Sequence, residues 1–136
     1  MVDLEPRATF ASPDTLAPPA GYSHVVTLPP GRLVWTSGQV PMNREREIPP
    51  RDWKTQTRLA FENVGAALTA AGAGWRDVVK LTIFVVDVSE LETIRAVRDE
   101  FVATASPPTS SLVQVAALFH PDVLIEVEAV AYLPPG

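Results

Sequence analysis

Five Pro-Pro pairs divide the chain, and they restrict its possible folds more than any other feature of the sequence. They stand at 18–19, 29–30, 49–50, 107–108 and 134–135. Proline ends helices because it lacks the amide N–H, and for the same reason it is kept out of central strands. Each helix and each strand is therefore expected to lie between two of these pairs.

Two segments between the prolines have the apolar periodicity of helices. The first is predicted to run from Trp53 to Ala71, with Asp52 as its N-cap and glycines 72 and 74 marking its end. The second opens with the capping box Ser89-Glu90-Leu91-Glu92. The residues predicted to face the core are Ala60, Phe61, Val64, Ala67, Leu68 and Ala71 in the first helix, and Leu91, Ile94, Val97 and Phe101 in the second.

Five other segments alternate or are rich in β-branched residues, as strands are. They are 22–28, 32–40, 78–88, 111–118 and 124–133. The first two are predicted to pair as a hairpin through the Pro-Pro-Gly turn between them. The order of elements predicts one α+β domain over residues 1–136, with a mixed β-sheet and two helices packed on one face.

Alternation in the last two strands assigns their side chains to faces. Ser110, Leu112 and Gln114 share one face of the first of these strands, and Glu126 and Glu128 share the outward face of the second. The sheet face without helices also needs cover, and symmetric association is the usual way to bury such a face. We therefore expect an oligomer.

Several classes of function are disfavoured by what the sequence lacks. There is no cysteine, and the only histidines, His24 and His120, have no carboxylate at ligand spacing, so no metal site is expected. A net charge of −5 disfavours nucleic-acid binding. No apolar run reaches the roughly 18 residues of a membrane span, and MVDLEPRATF lacks the features of a signal peptide, so we expect a cytoplasmic protein.

In order and spacing, a series of short motifs resembles the Rid (YjgF) family over nearly the whole chain. The motifs are Gly21-Tyr22-Ser23, Thr36-Ser37-Gly38-Gln39-Val40-Pro41, Gln56 with Asn63, Ala70-Ala71-Gly72-Ala73, the strand 78–85, Pro107-Pro108 ahead of Val113-Gln114-Val115-Ala116, and Ile125-Glu126-Val127-Glu128-Ala129.

The resemblance implies a chorismate-mutase-like α+β fold, a homotrimer and three clefts between subunits. Members of the family hydrolyse reactive enamines and imines, small molecules released by other enzymes, to a keto acid and ammonia without a cofactor. In these members a tyrosine near the N-terminus and a Ser-Gly turn line the cleft, and a glutamate on the last strand positions the attacking water. Tyr22, Ser37, Gly38 and Glu126 of this chain match these residues.

Three positions depart from the family pattern. Where the deaminases have Pro-Ala-Arg-Ser, this chain has Pro108-Thr109-Ser110-Ser111, so Ser110 stands where an arginine would hold the substrate carboxylate. The cysteine two residues later is Leu112, and an asparagine of the second helix is Arg95. A serine cannot reproduce the planar fork of a guanidinium. The resemblance therefore implies a protein that is not an efficient 2-aminoacrylate deaminase.

Alternatives remain open for these residues. Glu126 either positions the attacking water or is a solvated residue of an outward face. Arg95 either reaches the cleft or pairs on the helix surface with Glu92 or Asp99. Gln56 and Asn63 are interpreted as structural hydrogen bonders to loops.

Two functions follow from this reading. The first is hydrolysis of an enamine, an imine or a related activated small molecule, with Glu126 positioning water and Tyr22, Ser37 and Gly38 shaping the cleft. The alternative is a non-catalytic trimer that binds a metabolite or a partner protein in the same clefts. The ribonuclease activity sometimes attached to the family fits poorly with the charge of −5 and the absence of a histidine pair.

Overall fold

The computed structural model describes residues 7–136, so the first six residues of the predicted domain lie outside the described part. Short 3-10 turns precede the fourth strand and the second helix. The elements in chain order are β1 Thr9–Ala11, β2 Val25–Thr27, β3 Arg32–Trp35, α1 Trp53–Ala70, β4 Val78–Val85, α2 Leu91–Arg98, β5 Thr109–Gln114 and β6 Ile125–Leu133.

Four strands form the main sheet, in the order β3-β6-β4-β5. β4 and β5 are parallel, whereas β6 is antiparallel to both β3 and β4. The predicted mixed sheet is thereby confirmed. β5 lies at one edge of this sheet, which leaves its outer side open to neighbouring elements. No helix within residues 7–136 is long and apolar enough to cross a membrane.

The predicted hairpin of 22–28 with 32–40 is wrong. β2 pairs instead with β1, a strand that the sequence did not predict, and the two form a separate small sheet. β3 is shorter than predicted and pairs with β6. Pro29 and Pro30 have no N–H to donate, so the ladder cannot continue through them and the flanking strands enter different sheets.

The core lies between α1 and the helix-facing side of β4 and β6. On β6 the inward residues are Ile125, Val127, Ala129 and Ala131, each at most 1% exposed, as the alternation predicts. They pack with Ala60, Phe61, Val64 and Leu68 of α1 and with Leu81, Ile83 and Val85 of β4. Aromatic stacking extends this core, since the rings of Phe61 and Trp75 lie 5.2 Å apart with an interplanar angle of 19°.

The predicted start of α1 is confirmed, and that of the second helix is wrong. Oδ2 of Asp52 accepts the backbone N–H of Thr55 at 2.8 Å, as an N-cap does. In the second helix Ser89 is not the cap. Asp87 accepts the N–H of Ser89 and starts a 3-10 turn over Val88–Glu90, so helical winding begins before the predicted box and α2 follows from Leu91.

Candidate functional site

A cavity of about 420 Å³ lies between α2 and the first half of β5. We call it the helix-side cavity. Of the residues predicted for the site, Tyr22, Arg95, Ser110 and Leu112 line it. The other residues of its wall are Ala20, Ile83, Val88, Leu91 and Arg98. Four of the predicted residues, far apart in sequence, are therefore brought together.

Tyr22 reaches the cavity because the next residue is tied to the start of β5. The backbone N–H of Ser23 donates to the carbonyl of Pro108 at 3.1 Å, and its hydroxyl donates to the carbonyl of Pro107 at 2.6 Å. The proline pair, which has no N–H of its own, thus supplies two acceptors. This anchor holds the half-buried Tyr22 at the cavity, where its ring makes a T-shaped contact with that of His24.

Strand register places Ser110 and Leu112 on the helix side of the sheet. Ser110 is paired with Leu81 and Leu112 with Ile83, and both partners belong to the core face of β4. In parallel strands, paired residues point to the same face. A residue at position 110 therefore projects toward α2.

Arg95 does not form either of the ion pairs considered for it on the helix surface. Over the part of the chain that the structure describes, no salt bridge joins it to Glu92 or Asp99. Its half-buried side chain lines the cavity instead. Its contact with a substrate stays a prediction.

Arg98 is the residue of this cavity that the sequence reasoning missed. It is 7% exposed, and its Nε donates to Oδ1 of Asp99 at 2.9 Å. The signal was present, because Arg98 follows Ile94 by four residues and so occupies a position of the apolar stripe of α2. A charged residue in such a stripe is rarely buried without a partner or a role.

Glu126 lies elsewhere, over the turn that contains Ser37 and Gly38. The N–H of Thr36 donates to the carbonyl of Ala129, and the N–H of Gln39 donates to that of Val127. The chain therefore advances by three residues after β3 while β6 advances by two. This is a bulge. A Cβ built on Gly38 would stand 2.0 Å from Oε1 of Glu126, so glycine is what allows the carboxylate to lie there.

The helix-side cavity and the Glu126–Gly38 pair lie on opposite faces of the main sheet. Ile125 and Val127 point into the helix-covered core, so Glu126 between them points away from it. Ser110 points toward the helices. Within one chain, the predicted catalytic carboxylate and the predicted substrate-contacting residues are therefore separated by the sheet.

The outward face of the sheet also carries exposed apolar side chains. They are Leu33, which is 49% exposed, Trp35 at 70% and Val113 at 42%. Leu33 and Trp35 are paired with Tyr132 and Val130 of β6, on the same face as Glu126. An exposed apolar surface of this kind is typical of a subunit interface.

Gln56 and Asn63 have the structural role that was predicted for them. The amide group of Gln56 donates to the carbonyl of Asp122 at 2.8 Å and accepts the N–H of Leu124 at 2.9 Å. Asn63 donates to the carbonyls of Val40 and Met42. Both amides fasten loops to α1, and neither lines the cavity.

Comparison with known proteins supplies relatives along almost the whole chain. The family described as Endoribonuclease L-PSP matches residues 12–133. TdcF of Escherichia coli strain K12 is 40% identical over 117 residues, which is 85% of this chain and 90% of TdcF. The 2-iminobutanoate/2-iminopropanoate deaminase of the same strain is 38% identical over 117 residues, 85% of this chain and 91% of the deaminase.

Solved structures of relatives have the same fold. A Rid-family protein of unknown function from Yersinia pestis, YyfB, superimposes with a TM-score of 0.86 at 36% identity, covering 93% of this chain and 98% of YyfB. TdcF of Escherichia coli with bound serine superimposes with a TM-score of 0.68 at 38% identity, covering 92% of this chain and 95% of TdcF.

Proposed function

The chain belongs to the endoribonuclease L-PSP family, which includes the YjgF/Rid proteins, and from this premise we propose that it hydrolyses an imine or enamine in clefts between the subunits of a homotrimer. A relative is named a deaminase of 2-imino acids, and the crystal structure of another holds serine. Both names point to small amino-acid-like ligands.

The observation that carries the proposal is the position of Glu126 over Gly38. Hydrolysis of an imine needs a water molecule that attacks the C=N carbon and gives up a proton. A carboxylate that accepts this proton raises the nucleophilicity of the water. The resulting carbinolamine then loses ammonia, which leaves a carbonyl group. In this mechanism Glu126 positions the water, takes its proton and returns that proton to the nitrogen, which leaves as ammonia.

The separation of the two groups of residues supports a site shared between chains. Glu126 lies on the outward face of the sheet, and Tyr22, Arg95, Ser110 and Leu112 line a cavity on the other side. We infer that the outward face of one subunit meets the open β5 edge of its neighbour. The exposed Trp35 and Leu33 on that face then become buried, as symmetric association requires.

The proposed substrate differs from the smallest imino acids. Ser110 stands where the family's deaminases have an arginine, and Leu112 and Leu91 make the cavity wall apolar. A charge-assisted hydrogen bond contributes about 1.5–3 kcal/mol. Its loss weakens binding of a small imino acid roughly ten- to a hundredfold. We therefore propose a bulkier imine or enamine as substrate, and slow turnover of 2-aminoacrylate.

Ammonia release from imines generated in situ from a panel of amino acids tests this function. Glu126→Ala and Glu126→Gln are expected to lower turnover by about a hundredfold or more, because removal of a general base costs 10²–10⁴ in rate. Glu128→Gln removes the same charge two residues along the strand and serves as the matched control. Wild-type turnover that persists unchanged in both Glu126 variants would refute the role of Glu126. If the wild type itself releases ammonia only at the uncatalysed rate, the protein is instead a non-catalytic trimer that binds a metabolite or partner.

The family's description also names an endoribonuclease, so RNA cleavage is a second candidate. The net charge of −5 opposes it, because most affinity for RNA comes from cations that neutralise phosphates. We expect no shift of RNA in a gel at low salt. A salt-dependent shift would favour the nuclease.

A further inference from the structure

We propose that Arg98, at the end of α2, binds the carboxylate of the substrate in the helix-side cavity. This inference rests on the proposed function and deepens it, since it assigns the substrate class of the same cleft. The ligand is an imine or enamine that carries a carboxylate and an apolar remainder. The cation comes from the helix and takes the place of an arginine on β5.

The guanidinium of Arg98 is buried and only partly paired. A guanidinium has five N–H donors. Nε donates to Asp99 at 2.9 Å, and Nη2 makes one long contact of 3.5 Å to the carbonyl of Ala20. Within the described range of the chain, Nη1 has no hydrogen-bond partner. Among the described residues only Thr57 Oγ1 and Trp75 Nε1 are fully buried without a hydrogen-bond partner, so Nη1 of Arg98 keeps accessible surface. An anionic ligand in the cavity can therefore accept its N–H groups.

The other charged side chain of the cavity wall is also positive. Arg95 precedes Arg98 by three residues, so both lie on one face of α2, and both line the cavity. Asp99 is the carboxylate that pairs with Arg98, and its side chain is 46% exposed. The cavity wall therefore carries more positive than negative charge, although the chain as a whole carries −5.

The C-terminus of α2 by itself accounts for only part of this arrangement. Arginines in the last turn of a helix are stabilised by the helix dipole. That effect also operates at exposed positions and does not require burial. Arg98 is 7% exposed, so the dipole does not explain why its side chain points into the cavity.

A glycine with a positive φ makes room for the guanidinium. Gly21 has φ +80, and a Cβ at this position would stand 2.1 Å from Nη2 of Arg98. The backbone next to Tyr22 therefore packs directly against the cation. Tyr22 and Ser110 add two hydroxyl groups to the same cavity.

The rest of the wall determines what accompanies the carboxylate. Ile83, Val88, Leu91 and Leu112 are apolar, and the cavity volume of about 420 Å³ is ample for a six-carbon chain. A 2-oxo acid with an aliphatic tail is the product of hydrolysis of the matching imine. Its carboxylate suits the guanidinium of Arg98, and its tail suits the apolar wall. 2-Oxohexanoate is therefore the probe, and its neutral amide is the matched ligand without the charge.

Calorimetric titration of the full-length protein with 2-oxohexanoate tests the inference. Arg98→Gln is expected to weaken binding about tenfold or more, the loss of one charge-assisted hydrogen bond. Arg58→Gln removes an arginine that pairs with Glu100 outside the cavity, and it is expected to bind like wild type. The neutral amide is expected to bind weakly to all three proteins.

Asp99→Asn provides a readout that a purely structural Arg98 would not change. It removes the carboxylate that competes for the guanidinium, so affinity for 2-oxohexanoate is expected to rise several-fold. If the Arg98→Gln protein is folded and binds 2-oxohexanoate with wild-type affinity, the inference is overturned. If Arg98→Gln does not fold, Asp99→Asn decides, and unchanged affinity overturns it.

The outcomes separate this inference from the proposed function. A wild-type protein that binds 2-oxohexanoate through Arg98 but releases no ammonia from any imine supports the binding site and refutes the hydrolase. A wild-type protein that hydrolyses imines in a Glu126-dependent way, with no difference between 2-oxohexanoate and its amide, refutes the carboxylate site alone.

Discussion

The carboxylate of Glu126 lies against the backbone of Gly38, at a distance that no other residue at position 38 would allow. An added Cβ would meet Oε1 at 2.0 Å and the carboxyl carbon at 2.8 Å. The missing side chain at position 38 thereby leaves the space that the carboxylate occupies. The observed orientation of the proposed water-positioning group depends on this space.

Gly38→Ala is therefore expected to displace the carboxylate and to lower imine turnover by about tenfold or more, since an error of about 1 Å in placement can cost 10² in rate. Circular dichroism and the melting temperature are expected to change little, because the displaced group is the end of a flexible side chain. Gly74→Ala is the matched control, because a Cβ there would meet nothing within 4 Å. Equal turnover of both variants would contradict this role of Gly38.

Ser110→Arg is expected to increase kcat/KM for 2-aminoacrylate by about tenfold or more, because a guanidinium on β5 adds a second, bidentate partner for the α-carboxylate of this small substrate. The register with Leu81 directs the new side chain into the helix-side cavity. Ammonia release measures the effect. Ser111→Arg, one residue further and on the opposite face, is the control. Efficient turnover of 2-aminoacrylate by the wild-type protein would refute the proposed importance of position 110.

Trp35→Asp is expected to dissociate the proposed trimer. The side chain of Trp35 is 70% exposed in the single chain and lies on the outward face that we assign to the interface. A buried unpaired carboxylate would oppose association strongly. Light scattering should give about 44 kDa for the wild type, three times the 14.7 kDa of the chain, and the mass of one chain for the variant. Phe119→Asp, an exposed aromatic outside the sheet, should remain trimeric.

Gln56→Leu is expected to destabilise the fold by about 1–3 kcal/mol, which is the cost of a buried polar group left without its partner. Gln56 is fully buried, and its removal leaves the N–H of Leu124 and the carbonyl of Asp122 unpaired. Urea denaturation measures the change. An unchanged midpoint would mean that the loop before β6 does not depend on this amide.

Asp52 is expected to make stability depend on pH at the acid end. Hydrogen bonds from the hydroxyl and the backbone N–H of Thr55 lower the pKa of Asp52 below its usual value of 3.8. A carboxyl with a lowered folded-state pKa contributes stability above its unfolded pKa, and this contribution is lost as the pH falls through the folded pKa.

Asp52→Asn, which can still cap the helix but does not titrate, separates charge from capping. Urea midpoints of the wild type and the variant are compared at pH 6 and pH 3. The wild type is expected to lose more stability between the two pH values than Asp52→Asn does. Equal losses would show that Asp52 contributes nothing to the acid sensitivity.

Much of the fold could be predicted because it depends on local rules. The cap at Asp52, the end of α1 near Gly72 and the alternation along β6 each follow from residues close together in the chain. The hairpin failed for the opposite reason, since the partner of β2 is a short strand that has no strong pattern of its own. Smaller errors lie at the start of α2 and at the ends of β3, β4 and β5.

The sequence by itself determined where the helices and most strands lie, which residues of β6 face the core, and that Ser110 and Leu112 share one face. These features follow from period and side-chain chemistry. Only the tertiary structure decided that Arg98 points into the cavity and that Glu126 lies across the sheet from Ser110. Both features depend on long-range contacts, because β5 pairs with β4 and residues 22–23 lie beside Pro107 and Pro108. No local sequence pattern encodes contacts between segments so far apart in the chain.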